Sequence, residues 1–87
     1  MQLDILSPEQ NIYSGKVYGV QLAGTNGLFE ILENHAPLVA ALGKGKMKIK
    51  IDKAENQVLE YEIEGGFVET SNNKTTVLLE GAKEIKK

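Results

Sequence analysis

Lys46-Met47-Lys48-Ile49-Lys50-Ile51 and Leu59-Glu60-Tyr61-Glu62-Ile63-Glu64 alternate charged and apolar side chains without interruption. A period of two puts each lysine or glutamate on one face of an extended chain and each apolar residue on the other, which is the pattern of a half-buried strand. The polar stretch Asp52 to Gln57 between them makes the pair a hairpin. Antiparallel pairing through that loop sets Lys50 opposite Glu60, Lys48 opposite Glu62 and Lys46 opposite Glu64, with Met47, Ile49, Tyr61 and Ile63 facing a core. Exposed pairs of this kind contribute only about 0.2 to 1 kcal/mol each, so the ladder selects register more than it stabilises.

The same period recurs on both sides of this hairpin. Leu3 and Ile5 alternate with Gln2 and Asp4, and Ser7-Pro8 ends that strand because proline has no N–H for a ladder. After Ile12-Tyr13, Ser14-Gly15 reads as a turn. Lys16 to Ala23 then reads as one long strand with Tyr18, Val20 and Leu22 on one face and an irregularity near Val17. Gly24-Thr25-Asn26-Gly27 is a tight-turn signal, and Leu28 to Leu32 returns beside the preceding strand. Leu38 to Leu42 fits either a short strand or a helical turn.

Downstream, Glu64-Gly65-Gly66-Phe67 reads as a bulge or bend, since paired glycines relieve crowding where a strand changes direction or sheet. Asn72-Asn73 is a turn, and Thr75 to Glu80 is rich in β-branched and apolar residues, which suggests burial on both faces. Gly81 closes the strand region, and Ala82 to Lys87 is expected to fray. About nine to ten short strands at regular spacing give an all-β fold, a small β-sandwich or flattened barrel, in one domain over residues 1–87.

Composition narrows the function. Ten lysines oppose twelve carboxylates with no arginine, so the forked donor best suited to phosphate and guanine is missing and nucleic acid is not an expected partner. With no cysteine, thiol redox chemistry and thiolate metal sites are excluded. The longest apolar run, Ala36 to Leu42, includes Pro37 and is far short of the roughly 20 residues that cross a bilayer as a helix, so no direct membrane insertion is expected. The first residues carry no secretory pattern, which makes the cytoplasm the expected location.

No catalytic constellation stands out. His35 is the only histidine, with no serine, cysteine or second histidine at triad or metal spacing. Glu30 and Glu33 lie near it and read as solvated carboxylates. Gly43-Lys44-Gly45-Lys46 lacks the glycine spacing and the closing Lys-Ser or Lys-Thr of a phosphate loop. Neither a cofactor nor a metal is expected. Asp52-Lys53-Ala54 at a hairpin tip supports an alternative, a lipoyl or biotinyl carrier domain with Lys53 as attachment site.

Several segments, in order, resemble the amino-terminal domain of the epsilon subunit of F-type ATP synthases. They are Leu3-Asp4-Ile5, Ser7-Pro8-Glu9, Tyr13-Ser14-Gly15, Val20 to Gly27, Asn34-His35-Ala36-Pro37-Leu38, Gly65-Gly66-Phe67-Val68-Glu69 and Thr76-Val77-Leu78-Leu79. The resemblance implies a β-sandwich at the foot of the central stalk, a non-catalytic rotor part bound to the gamma subunit and to the c-subunit ring. It also implies a peripheral position on the cytoplasmic face of a bacterial inner membrane. By position it nominates Asn26, Gly27, Leu28, His35, Ala36, Pro37, Leu38 and Leu42 as the partner interface. Relatives often carry an acidic residue in place of Leu28 and a glycine in place of Glu30. Leu28 and Leu38 fit either the partner surface or the core by alternation alone. Many relatives continue into a two-helix hairpin, and because the sequence stops at Lys87, neither that inhibitory arm nor its ATP site is expected.

Overall fold

The computed structural model describes residues 1–85, and its regular elements are all strands. In chain order they are β1 (Gln2–Leu6), β2 (Asn11–Lys16), β3 (Gly19–Gly24), β4 (Gly27–Leu32), β5 (Leu38–Leu42), β6 (Gly45–Lys50), β7 (Val58–Ile63), β8 (Gly66–Ser71), β9 (Lys74–Leu79) and β10 (Ala82–Glu84). Hydrogen bonding links them in the order β10-β7-β6-β3-β5-β8-β9-β1-β2, with β4 on the other edge of β3. The link between β3 and β5 is a single pair, Gly24 with Leu42. That corner divides the curled sheet into two five-stranded layers, β10-β7-β6-β3-β4 and β5-β8-β9-β1-β2.

Alternation produces the core. Leu3, Ile5, Val68, Val77 and Leu79 from one layer meet Val20, Leu22, Ile31, Met47, Ile49 and Ile63 from the other in one buried cluster. Such packing between two twisted sheets is what a sandwich requires. Leu38 to Leu42, open between strand and helical turn in sequence, is strand β5 and pairs along its whole length with β8.

The chain passes between layers where the sequence reading went astray. Ser14-Gly15 is not a turn but part of β2, paired with Asp4 and Leu3. The break falls at Val17-Tyr18, splitting the expected long strand. Val17 N donates to Met1 O at 2.9 Å, whereas Tyr18 N donates to Lys50 O at 2.9 Å, so neighbouring amides bond to opposite layers. The irregularity read near Val17 falls at this switch, but alternation does not state that the strand breaks there or which layers it joins. Gly65-Gly66 marks another, between β7 and β8, as the paired glycines suggest. Gly66 has φ of +152°, and a Cβ there would lie 2.0 Å from Leu78 O, so only glycine fits.

The charged hairpin forms with its faces as expected but with its register moved by two. Lys46 faces Glu62, Lys48 faces Glu60 and Lys50 faces Val58. The loop decides this. Asp52 Oδ1 accepts from Gln57 N at 3.0 Å and Gln57 O accepts from Ile51 N at 3.0 Å, closing the turn two residues earlier than the charge ladder predicts. Lys46 instead reaches Glu60 diagonally at 3.5 Å, and Glu60 is buried.

Two further expectations fail. Residues 75–80 are not buried on both faces, because Thr75, Val77 and Leu79 point inward while Leu78 is 51% exposed. Ala82 to Glu84 does not fray but pairs with Ile63, Glu62 and Tyr61. Edge pairing supplies order that these three residues could not generate alone. Lys86 and Lys87 lie outside the described residues. Among the described residues, no helix is long and apolar enough to cross a membrane.

Candidate partner-binding corner

Two segments meet at the open side of the sandwich: the β3–β4 hairpin, and the chain from Glu33 through β5. Thr25-Asn26 forms the hairpin turn, closed by the Gly24–Gly27 pair. The positive φ falls on Gly27, at +124°, rather than on Asn26. Leu28 faces outward on the edge strand that follows and is 67% exposed. This resolves its reading from sequence in favour of the surface. Val39 on β5 is 72% exposed and lines the same groove as Leu28, Phe29, His35 and Leu38.

The corner between β4 and β5 is braced from several directions. Glu33 N donates to Tyr18 O at 3.2 Å, and Glu33 Oε1 lies 3.1 Å from the amino group of Met1. Asn34 has φ of +62°, a left-handed conformation that asparagine tolerates, and its N–H donates to Asn73 Oδ1 at 2.8 Å. His35 N donates to Leu32 O at 3.2 Å, while its Nδ1 lies 2.6 Å from Ala36 O. A carbonyl only accepts, so that nitrogen carries the proton. His35, Ala36 and Pro37 are all exposed.

Glu30 and Glu33 are not free solvated carboxylates. Glu33 holds Met1, and Glu30 pairs with Lys50. Among the described residues, no three His, Cys, Asp or Glu side chains converge as metal ligands.

Of the residues nominated from sequence, Asn26, Gly27, Leu28 and His35 line one groove, and Ala36 and Pro37 are exposed in the segment that follows His35. Leu38 is half-buried and packs against the core while also lining the groove. Leu42 is a correction. It is 5% exposed and inside the core, because the parity that turns Val39 and Ala41 outward turns Leu42 inward. That parity also identifies Val39, which the sequence reading missed. Lys53 does stand exposed in the β6–β7 loop, as a carrier lysine would.

Comparison with known proteins discriminates between the readings. A family profile described as "ATP synthase, Delta/Epsilon chain, beta-sandwich domain" matches residues 1–85. The ATP synthase epsilon chain of Chlorobium limicola is 45% identical over 80 residues, which span 91% of this chain and 88% of that one. That of Leptospira borgpetersenii is 40% identical over 79 residues, covering 90% of this chain but 59% of its own length. Among solved structures, a chain of the Euglena gracilis mitochondrial ATP synthase assembly of OSCP, F1 and c-ring superposes with a TM-score of 0.86 at 18% identity, over 94% of this chain and 51% of that one. A chain of the Tetrahymena thermophila mitochondrial ATP synthase central stalk and c-ring gives 0.77 at 14% identity, over 94% and 64% respectively. These last two likenesses are of fold. With the profile spanning both layers and the corner between them, the chain belongs to the delta/epsilon family of ATP synthase subunits, as its β-sandwich domain.

Proposed function

We propose that this domain acts as a non-catalytic rotor part of an F-type ATP synthase, joining the gamma subunit to the c-subunit ring and so coupling ion flow to ATP synthesis. It works at the cytoplasmic face of a bacterial inner membrane, held there through the complex. Family membership makes it an ATP synthase subunit; the observation that carries the mechanical role is the braced corner. Leu28 on β4 and Val39 on β5 stand exposed along one groove, while the segment between them is tied to Tyr18 and Asn73 through backbone N–H groups and to Met1 through the Glu33 carboxylate.

A part that transmits torque must hold its contact surface rigid relative to its body. A close-packed sandwich with short turns meets that need, since packed interiors have low compressibility. On this reading Asn26, Gly27, Leu28, His35, Ala36, Pro37 and Leu38 touch a partner together with Val39, and Leu42 supports them from the core. The family match replaces the carrier reading, which leaves Lys53 an ordinary loop lysine.

Affinity purification of the tagged native chain from membranes solubilised in mild detergent tests the proposal. Recovery of gamma and c subunits in constant ratio to the chain is the expected result. Recovery of the chain without them, from membranes in which the synthase remains assembled, overturns it.

A further inference from the structure

The outward face of the β4-β3-β6 layer carries an ion cluster that differs from an ordinary surface pair. Lys50 on β6 pairs with Glu30 on β4 and lies 3.6 Å from Glu55 in the β6–β7 loop. The Lys50 side chain is only 17% exposed, against 54% for Lys46 on the same strand, and Glu30 is 33% exposed.

Topology makes the cluster unusual. β4 and β6 are not neighbours, because β3 lies between them, and strands two apart are separated by roughly 9 to 10 Å. Lys50 is in register with Gly19 on β3, which is in turn in register with Leu32 on β4. Glu30 is in register with Gln21 and, through it, with Lys48, so Lys50 reaches Glu30 diagonally over the middle strand. Its ammonium therefore joins strands that share no backbone hydrogen bond. Glu55 completes the cluster from a left-handed conformation, φ +58°, that a glutamate adopts only at a cost in free energy.

The Glu30 carboxylate beside it holds the Lys50 ammonium above its usual pKa, with Glu55 adding to the effect. Glu30 Oε2 is itself buried from water and depends on that cation.

We infer that Lys50 is a positioning residue whose ammonium clamps the edge strand β4 and the β6–β7 loop to β6, across β3, and thereby sets where Leu28 stands. Among the described residues β4 is paired only to β3, so without the clamp one line of backbone bonds holds it. The consequence for partner binding rests on the function proposed above. The clamp itself does not, and it is testable on the chain alone.

Residue-resolved amide exchange of the full chain provides the test, with Lys50→Met, Lys50→Arg, Glu30→Gln and the double variant Glu30→Gln/Lys50→Met. Loss of a partly buried pair is expected to speed exchange of the β4 amides bonded to β3 by on the order of tenfold in Lys50→Met, with the β8–β9 amides unchanged. Lys50→Arg keeps the wild-type pattern, and the double variant exchanges no faster than the faster single one, because both remove the same interaction. The inference is overturned if β4 exchange in Lys50→Met stays within about twofold of wild type. It is equally overturned if all strands accelerate together, or if the two single effects add. Weak gamma or c-subunit recovery with intact β4 protection would count against the proposed function and leave the clamp standing.

Discussion

At the scale of single residues, Gly66 and Leu28 mark opposite extremes of tolerance. Gly66→Ala drives a Cβ into the Leu78 carbonyl at a backbone angle that L side chains rarely adopt. The expected loss is about 3 kcal/mol or more, read from denaturant unfolding. Leu28→Glu changes an exposed site, so the isolated domain should unfold within about 0.5 kcal/mol of wild type. On the proposed function the same variant recovers less gamma and c subunit on purification; unchanged recovery would remove Leu28 from the interface. Asp4 gives a pH prediction. Ser14 Oγ donates to its Oδ1 at 2.6 Å and Gln2 Nε2 donates at 3.2 Å, which hold its carboxyl below the ordinary 3.8. A depressed carboxyl stabilises the fold above its unfolded pKa, and that contribution is lost as pH falls from 3.8 through the folded value. Ser14→Ala should therefore lower stability at neutral pH and flatten its fall below pH 3.8, the two curves converging in strong acid. Parallel curves would refute this.

At the scale of elements, the hairpins divide into those whose turns the sequence announces and those decided elsewhere. Asn72-Asn73 turns tightly, both residues at positive φ, +53° and +59°, between the paired Ser71 and Lys74. Glycine at the second position is the more usual choice in such turns. Here Asn73 also accepts the Asn34 N–H, so the turn residue braces the candidate corner. Asn73→Gly should leave overall stability nearly unchanged while speeding amide exchange at Asn34; unchanged exchange there would show that the brace does not hold. The charged hairpin teaches the converse. Alternation determined its faces, since a shift of two keeps every side chain on its side, but it could not choose between registers that differ by two. Asp52 capping Gln57 made that choice through hydrogen bonds that no charge pattern encodes.

For the whole molecule, one buried cluster spans both layers, and β1 pairs in parallel with β9, joining the first strand to the last but one. No part has a core of its own, so unfolding should be a single cooperative transition. Ile49→Ala, at a fully buried position, is expected to lose about 2 to 5 kcal/mol without splitting that transition. Separate melting of the β8–β9 and β6–β7 hairpins would contradict this. Because most pairings join distant segments, refolding should take milliseconds to seconds, in the range of all-β domains.

The all-β class, most strand positions, the core faces of β1, β3, β6 and β7 and the family were legible in the residue order, because period-two alternation and turn chemistry are local. The candidate corner was legible in part. Its exposed hairpin and His35-Ala36-Pro37 segment could be nominated from sequence, whereas Val39 and Leu42 exchanged places once the parity of β5 was set by pairing with β8. The layer switch at Val17-Tyr18, the edge strand Ala82–Glu84 and the reach of Lys50 over β3 to Glu30 were decided only by tertiary structure. Each depends on which distant backbone or side chain occupies the neighbouring position, and a pattern of alternating side chains states which way a residue faces but not what it meets there.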